Sequence, residues 1–263
     1  MNEIAPKSAP KPASTVLLVR DAAELEVLMV ARHAKMAFGA EAWVFPGGKV
    51  AEPDFDPRWK ELVDGDFDDL ARALRVAAVR EVYEESGLLL ARQSGGTTLV
   101  DADACAPLAS QRFDVEDNPE VFATLIANHG LHLALDRLIP FAHWITPSME
   151  PRRFDTHFFI AHAPERQIAA HDGREAVDHA WTTPKSVLDK RLAGKAKLMF
   201  PTRLNLEKLG TSINANAALT AAREASVVTV EPQLVRDEGE PRLRIPAEAG
   251  YSVVEESISK IME

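Results

Sequence analysis

Apolar positions along this chain fall into short runs near its start and into stripes at helical spacing further on. The runs "TVLLVR" (15–20) and "LEVLMVAR" (25–32) are aliphatic and β-branched, and the polar stretch "DAAE" between them predicts a β-hairpin. "AWVFPGG" (42–48) predicts a third strand, stopped by Pro46, Gly47 and Gly48. Residues 49–65, with Pro53, Pro57, Gly65 and several acids, read as a loop with one helical turn around Trp59. A helix is predicted from Asp66 to Ser86. Asp66, Asp68 and Asp69 sit at its N-terminus, where the dipole favours them, and Gly87 closes it in the left-handed conformation. "SGGTT" (94–98) is a turn signal. "NPEVFATLIANHG" (118–130) predicts a helix capped by Asn118 with Pro119 at its first position.

"LIPFAHWIT" (138–146), "DTHFFIAHA" (155–163) and "DHAWTT" (178–183) read as strands, and "PKSVLDKRL" (184–192) as a helix opened by proline. "FPTRLNLEKL" and "NANAALTAAREA" predict two more helices, and "SVVTVEPQLV" and "PRLRIP" a closing pair of strands. Strands and helices mix without regular βαβ alternation. The expected fold class is α+β, a mixed β-sheet sandwiched between α-helices.

Composition narrows the function classes. Apolar residues make up 46% of 263, enough for a sizeable core, and no apolar run has the length to cross a bilayer. The opening "MNEIAPKSAPKPAS" lacks the apolar stretch of a signal peptide, so residues 1–13 read as a disordered tail. Cys105 is the single cysteine and cannot form an internal disulfide, which fits a reducing, cytoplasmic setting and a thiol with no role. Forty acids against thirty bases give a net charge of −10, which argues against a nucleic-acid partner. A small anionic substrate remains compatible if a divalent metal lies between the two sets of negative charge.

The stretch "AAVREVYEESGLLL" (77–90) carries the chemistry. Glu81, Glu84 and Glu85 lie at i, i+3 and i+4, within about 100° of helical arc. Like charges so spaced repel by roughly 0.2–0.5 kcal/mol per pair, and the negative end of the helix dipole adds to the penalty. Val76, Val79 and Tyr83 form the opposite, core-facing stripe, while the carboxylate face runs back through Ala78, Ala77, Leu74 and Leu70. A solvated acidic face with Arg80 paired to Glu84 is the plainer reading. One arginine does not balance three acids on a partly apolar face, and a hard divalent cation with oxygen ligands, Mg2+ or Mn2+, does.

Arg80-Glu81-Val82-Tyr83-Glu84-Glu85-Ser86-Gly87-Leu88 resembles the second half of the Nudix hydrolase signature, G-x5-E-x7-R-E-U-x-E-E-x-G-U with U aliphatic, at every fixed position. "FPGGKV" resembles the first half, with Gly48 as its glycine. Gly48 and Arg80 are 32 residues apart where the signature has 14, an insertion of 18, and Arg72 stands eight before Arg80 where a glutamate is expected. Asp68 and Asp69 are candidates to replace that glutamate in part. An interrupted box is similar to the branch of the family that includes the mammalian peroxisomal coenzyme A diphosphatase. "WVFPGGKVAEPDFDPRW", "FAHWITPSMEPRRFDTHFFIA" and "EAVDHAWTTPKSVL" extend the likeness over most of 14–210. The ending "SKIME" is not a peroxisomal "SKL".

The resemblance implies a single Nudix domain over 14–263, with residues 49–66 inserted in the box and about 200–263 as a C-terminal extension. It implies hydrolysis of a nucleoside diphosphate linked to another moiety. Glu81, Glu84 and Glu85 would be the metal ligands, Arg80 would hold them, and Gly47 and Gly48 would bring backbone to the substrate. Glu175, six residues before Trp181, is the candidate general base, with an exposed loop acid as the alternative. Arg152 and Arg153 are offered as a phosphate contact, against an ion pair with Asp155 or another acid. His33, His143, His157 and His162 show no metal-ligand spacing among themselves. Trp43, Phe45, Phe55, Trp59 and Phe67 stack on a substrate or, more commonly, fill the core.

Coenzyme A or an acyl-CoA is the leading substrate by this likeness, with ADP-ribose or NADH as the enzyme alternative. A non-catalytic nucleotide-binding or regulatory module, and an acidic helix for a protein partner, are the readings outside enzymology. The implied partners are a small nucleotide-type substrate and a second copy of the chain, as in dimeric relatives. No membrane partner is implied.

Overall fold

A computed structural model describes residues 9–32, 42–170, 174, 176–236 and 239–262. Strands β1 (Lys11–Asp21) and β2 (Leu25–Arg32) form the expected hairpin, with Val19 opposite Val27. Their apolar residues are buried on both faces, which is why the runs read as nearly continuous rather than alternating. The third apolar run divides at Pro46 instead of forming one strand. β3 (Trp43–Val44) pairs with β2, and β4 (Gly47–Lys49) crosses to pair with β1. Proline has no N–H to donate, so a ladder through Pro46 would lose a bond, and the chain changes partner there.

The central helix, α1 (Asp69–Ser86), begins three residues later than expected, because the Asp68 side chain caps it by accepting from the Ala71 N–H at 2.7 Å. It ends at Gly87 with φ +70°, whose N–H donates to the Tyr83 carbonyl. Next come β5 (Ala91–Gln93), α2 (Ala102–Ala109), α3 (Arg112–Asp117), α4 (Val121–Asn128) and β6 (Leu131–Leu133). α4 starts later than expected, and Asn118 turns the chain before it by accepting from the Glu120 N–H. Neither α2, α3 nor the β5–β6 pair is legible in the apolar pattern.

β7 (Ile139–Ile145), β8 (Phe154–His162), β9 (Ala176–Thr182), α5 (Pro184–Leu192), α6 (Phe200–Leu209) and α7 (Ala215–Glu224) follow as expected within a residue or two. The closing pair is rearranged. β10 (Thr229–Val230) joins the main sheet beside β7. β11 (Gln233–Val235), β12 (Arg242–Arg244) and β13 (Glu255–Ser257) make a separate antiparallel sheet ahead of α8 (Ile258–Met262).

The main sheet runs β10-β7-β8-β1-β2-β3, with β4 also on β1 and β9 also on β2. It is mixed: β1 is parallel to β8 and antiparallel to β2. One face (Val16, Leu18, Phe159, Ala161) packs against α1, with α2 to α4 behind it. The other (Leu17, Val19, Met29, Ile160) packs against α5, α6, α7 and the C-terminal strands. This is the expected α+β sandwich. Among the described residues no helix is long and apolar enough to cross a membrane.

The inserted segment is not a free loop. Two 3-10 turns, Glu52–Phe55 and Pro57–Lys60, fold it onto the α1 side. Trp59 is fully buried, its indole N–H donates to the Pro53 carbonyl, and its ring lies 5.5 Å from that of Phe122.

Candidate active site

The last turns of α1 lie over β4, and the contact is close because β4 begins with two glycines. A Cβ on Gly48 would stand 2.4 Å from the Glu81 carboxylate, so this acid occupies the space a side chain would fill. Glu85 accepts from the Gly47 N–H at 3.0 Å. A Cβ on Gly47 would meet backbone instead, 2.4 Å from the Ser14 carbonyl oxygen. The two glycines therefore respond differently to alanine. Gly47→Ala is expected to destabilise by about 3 kcal/mol, because the sheet itself must move. Gly48→Ala should cost about 1 kcal/mol, because only a side-chain end must swing away. Thermal unfolding of both variants checks this; equal losses would show that Glu81 is as rigid as the sheet.

Arg80 gathers the carboxylates. Its Nη1 donates to Glu81 at 2.9 Å and to both oxygens of Glu84 at 3.0 and 3.1 Å, and Nη2 donates to the Lys49 carbonyl. Nε and Nη2 grip both oxygens of Asp54, each at 2.9 Å. Arg80 and Asp54 are 2% and 1% exposed, a buried bidentate pair. Burial pushes the Glu84 carboxyl up to about 8; Arg80 pulls it down and the charge of Glu81 pushes it up again. Asp54, Glu81 and Glu84 thus share a single guanidinium.

Asp54 answers the question left by Arg72. Arg72 lies two turns before Arg80, buried, and pairs with Asp69 at 2.6 Å. Asp68 is occupied as the helix cap, so neither Asp68 nor Asp69 stands in for the missing glutamate. Five residues separate Gly48 from Asp54, the spacing the signature gives from glycine to its first acid. The extra 18 residues therefore fall between that acid and the arginine. Counting back from Arg80 hid it; counting forward from Gly48 finds it.

A second arginine, unforeseen from sequence, serves the end of α1. Arg112 on α3 is buried and donates through Nε to the Glu84 carbonyl at 2.6 Å and through Nη1 to the Ala170 carbonyl at 2.7 Å. It places positive charge at the negative helix end, where the sequence shows only acids. It also ties in residues 164–170, whose Ala170 N–H donates to the Ser86 carbonyl.

Other expectations meet mixed outcomes. Glu175 lies outside the described residues. Arg153 donates to Glu231 at 2.7 Å and to the Thr146 carbonyl at 3.0 Å. That ion pair is with an acid elsewhere in the chain, the alternative to a phosphate contact, while Arg152 is exposed. Leu70 is 52% exposed, so the apolar part of the carboxylate face starts at Leu74. Phe45 and Trp59 are core residues, and Phe55 is exposed beside the inserted turns. His143 and His157, scattered in sequence, stack at 4.1 Å between ring centroids. Burial and the neighbouring His143 push His157 down to about 4, against the pull of Asp155.

The NUDT19 Nudix domain family matches residues 65–209. The putative nudix hydrolase 7 of Caenorhabditis elegans is 30% identical over 183 residues, 70% of this chain and 55% of that protein. The acyl-coenzyme A diphosphatase NUDT19 of Xenopus laevis is 26% identical over 228 residues, 71% of this chain and 60% of that protein. The chain thus spans between half and two thirds of the length of these relatives. Among solved structures, a NUDIX hydrolase from Alicyclobacillus acidocaldarius superimposes with a TM-score of 0.68 at 29% identity, over 81% of this chain and 96% of the other.

Proposed function

We propose, from the premise that this chain belongs to the Nudix hydrolase family, that it is a Mg2+-dependent pyrophosphohydrolase acting on coenzyme A or acyl-CoA. The products would be 3′,5′-ADP and phosphopantetheine or its acyl form. The observation that carries the reaction is the crowding of Glu81 and Glu84 around one arginine, with Glu85 held by the Gly47 N–H of β4. The substrate class rests on the relatives named as acyl-coenzyme A diphosphatases and on the interrupted box.

The residues fit a hard cation. Three carboxylates share a corner with an excess of negative charge, and oxygen donors of this kind suit Mg2+, with Mn2+ as a substitute. Glu81, Glu84 and Glu85 would hold it, and when bound it would neutralise phosphate charge and acidify water. The remaining work belongs to the chain. Arg80 fixes Glu81 and Glu84 in place and is itself fixed by Asp54. Gly47 and Gly48 let the carboxylates of Glu85 and Glu81 close on the backbone of β4, where the phosphate would be met. Glu175, by its spacing to Trp181, is the proposed base that takes the proton of the attacking water.

The test is a hydrolysis panel with the full chain: coenzyme A, acyl-CoAs, ADP-ribose, NADH and diadenosine polyphosphates, each with Mg2+ or with EDTA, products resolved by chromatography. Mg2+-dependent release of 3′,5′-ADP from coenzyme A or acyl-CoA is the expected outcome. Turnover of ADP-ribose or NADH alone would remove the coenzyme A assignment and leave the reaction class. No Mg2+-dependent turnover of any substrate would remove both.

A further inference from the structure

We propose that His143, Asp155 and His157 form a second metal site, for a divalent transition-metal ion such as Zn2+, separate from the carboxylates of α1. The three donor atoms lie within 4.8 Å of one another. Strand geometry brings them together. Asp155 and His157 are two apart on β8 and share a face, and His143 on β7 stands directly opposite His157. His157 Nε2 is 3.6 Å from Asp155 Oδ1. An ion about 2.1 Å from each ligand sets tetrahedral donors roughly 3.4 Å apart, so this edge already fits. His143 Nε2 is hydrogen-bonded to the same Asp155 oxygen, and these two atoms would have to move apart to admit an ion.

Two further features match a ligand set. His143 Nδ1 is engaged by the Thr229 hydroxyl at 2.8 Å, which fixes the ring and turns Nε2 toward Asp155. A metal-bound imidazole is oriented in this way by a partner on its other nitrogen. All three side chains are partly exposed, so an ion has access. The donor set, two imidazoles and one carboxylate, suits zinc and its transition-metal neighbours rather than Mg2+. The guanidinium that bears on His157, that of Arg75, lies over the rings of Phe67 and Phe159 at 4.5 and 4.9 Å.

The site adjoins the box without sharing a ligand with it. Gly48 pairs with Ser14, Ser14 with His157, His157 with His143 and His143 with Thr229, one row across the sheet. Ser14 and His157 point to the α1 face, two residues from Val16 and Phe159. Ser14 is fully buried and its hydroxyl has no hydrogen-bond partner among the described residues. Such an orphan beside His157 is where a metal-bound water would be accepted.

The experiment is a Zn2+ titration of the EDTA-treated, desalted full chain in excess Mg2+, followed by calorimetry. One Zn2+ is expected to bind the wild type and Glu85→Gln alike, and at least tenfold more weakly to His143→Gln and His157→Gln. No Zn2+ binding by the wild type, or unchanged affinity in either histidine variant, overturns the proposal and leaves a hydrogen-bonded His–Asp pair. If a variant folds poorly, imidazole 15N spectra of the wild type decide. Zn2+ must shift the His143 and His157 signals; a shift confined to the other six histidines, or none, overturns it.

Discussion

Glu85→Gln is expected to lower kcat/KM on the best substrate by about 100- to 1000-fold, the scale seen when one charge-stabilising group is removed from a reaction centre. Glutamine has the same shape, and its carbonyl oxygen can still accept from the Gly47 N–H now bonded to Glu85. The fold should persist. What disappears is one negative charge from a cluster that already repels itself, so without Mg2+ the variant should melt at the same temperature as the wild type or higher. With Mg2+ the wild type should gain several degrees and the variant little, because a ligand bound only by the folded state stabilises in proportion to its affinity. Kinetics together with melting curves at two Mg2+ concentrations check this. A variant within threefold of wild-type activity, or one that keeps the full Mg2+ response, would sink the assignment of Glu85 as a ligand.

Asp54→Ala should cost about 3–5 kcal/mol of stability, the usual range for removing one partner of a buried ion pair. For a chain of this size that is a fall of roughly 5–10 °C in Tm. Arg80 is 2% exposed, and two of its nitrogens are directed at the Asp54 carboxylate. Without that acid its charge remains buried, held by the Lys49 carbonyl and by the glutamates that the cation needs. Activity should fall with stability, and the deficit should persist well below the melting temperature. Replacing both members by apolar residues, Asp54→Leu with Arg80→Met, should recover neither stability nor activity, because Glu81 and Glu84 then lose their guanidinium. Urea titration of the three proteins decides. A loss under 1 kcal/mol for Asp54→Ala would show that the inserted turns, and not this pair, hold the segment in place.

The glutamate trio was legible in the sequence because a helix brings together residues three and four apart, and because Gly87 marks its end. The covering of both faces of the sheet was legible in the apolar runs of β1 and β2 and the stripe of Val76, Val79 and Tyr83. What could not be read depends on pairing across distance. Arg112 reaches the Glu84 carbonyl from 28 positions away, through the fold of α3 that the apolar pattern does not announce. His143 meets His157 only because β7 and β8 pair in a particular register, with an irregularity between Pro140 and Ala142. Arg153 finds Glu231 through the C-terminal segment, 78 residues on. The break at Pro46 was marked by its proline, but not the change of partner that follows.

The inserted segment also says something about chain statistics. Between Asp54 and Arg80 lie 25 residues where the signature allows seven. Closing a flexible loop costs about (3/2)RT ln n, so the longer connection adds only about 1 kcal/mol of conformational entropy. Burying Trp59 and forming the Asp54–Arg80 pair outweigh that easily. Loop length between these two residues is therefore nearly free to drift, while their contact is not. A motif written as fixed spacings records the shortest tether, and this chain keeps the same knot on a longer one.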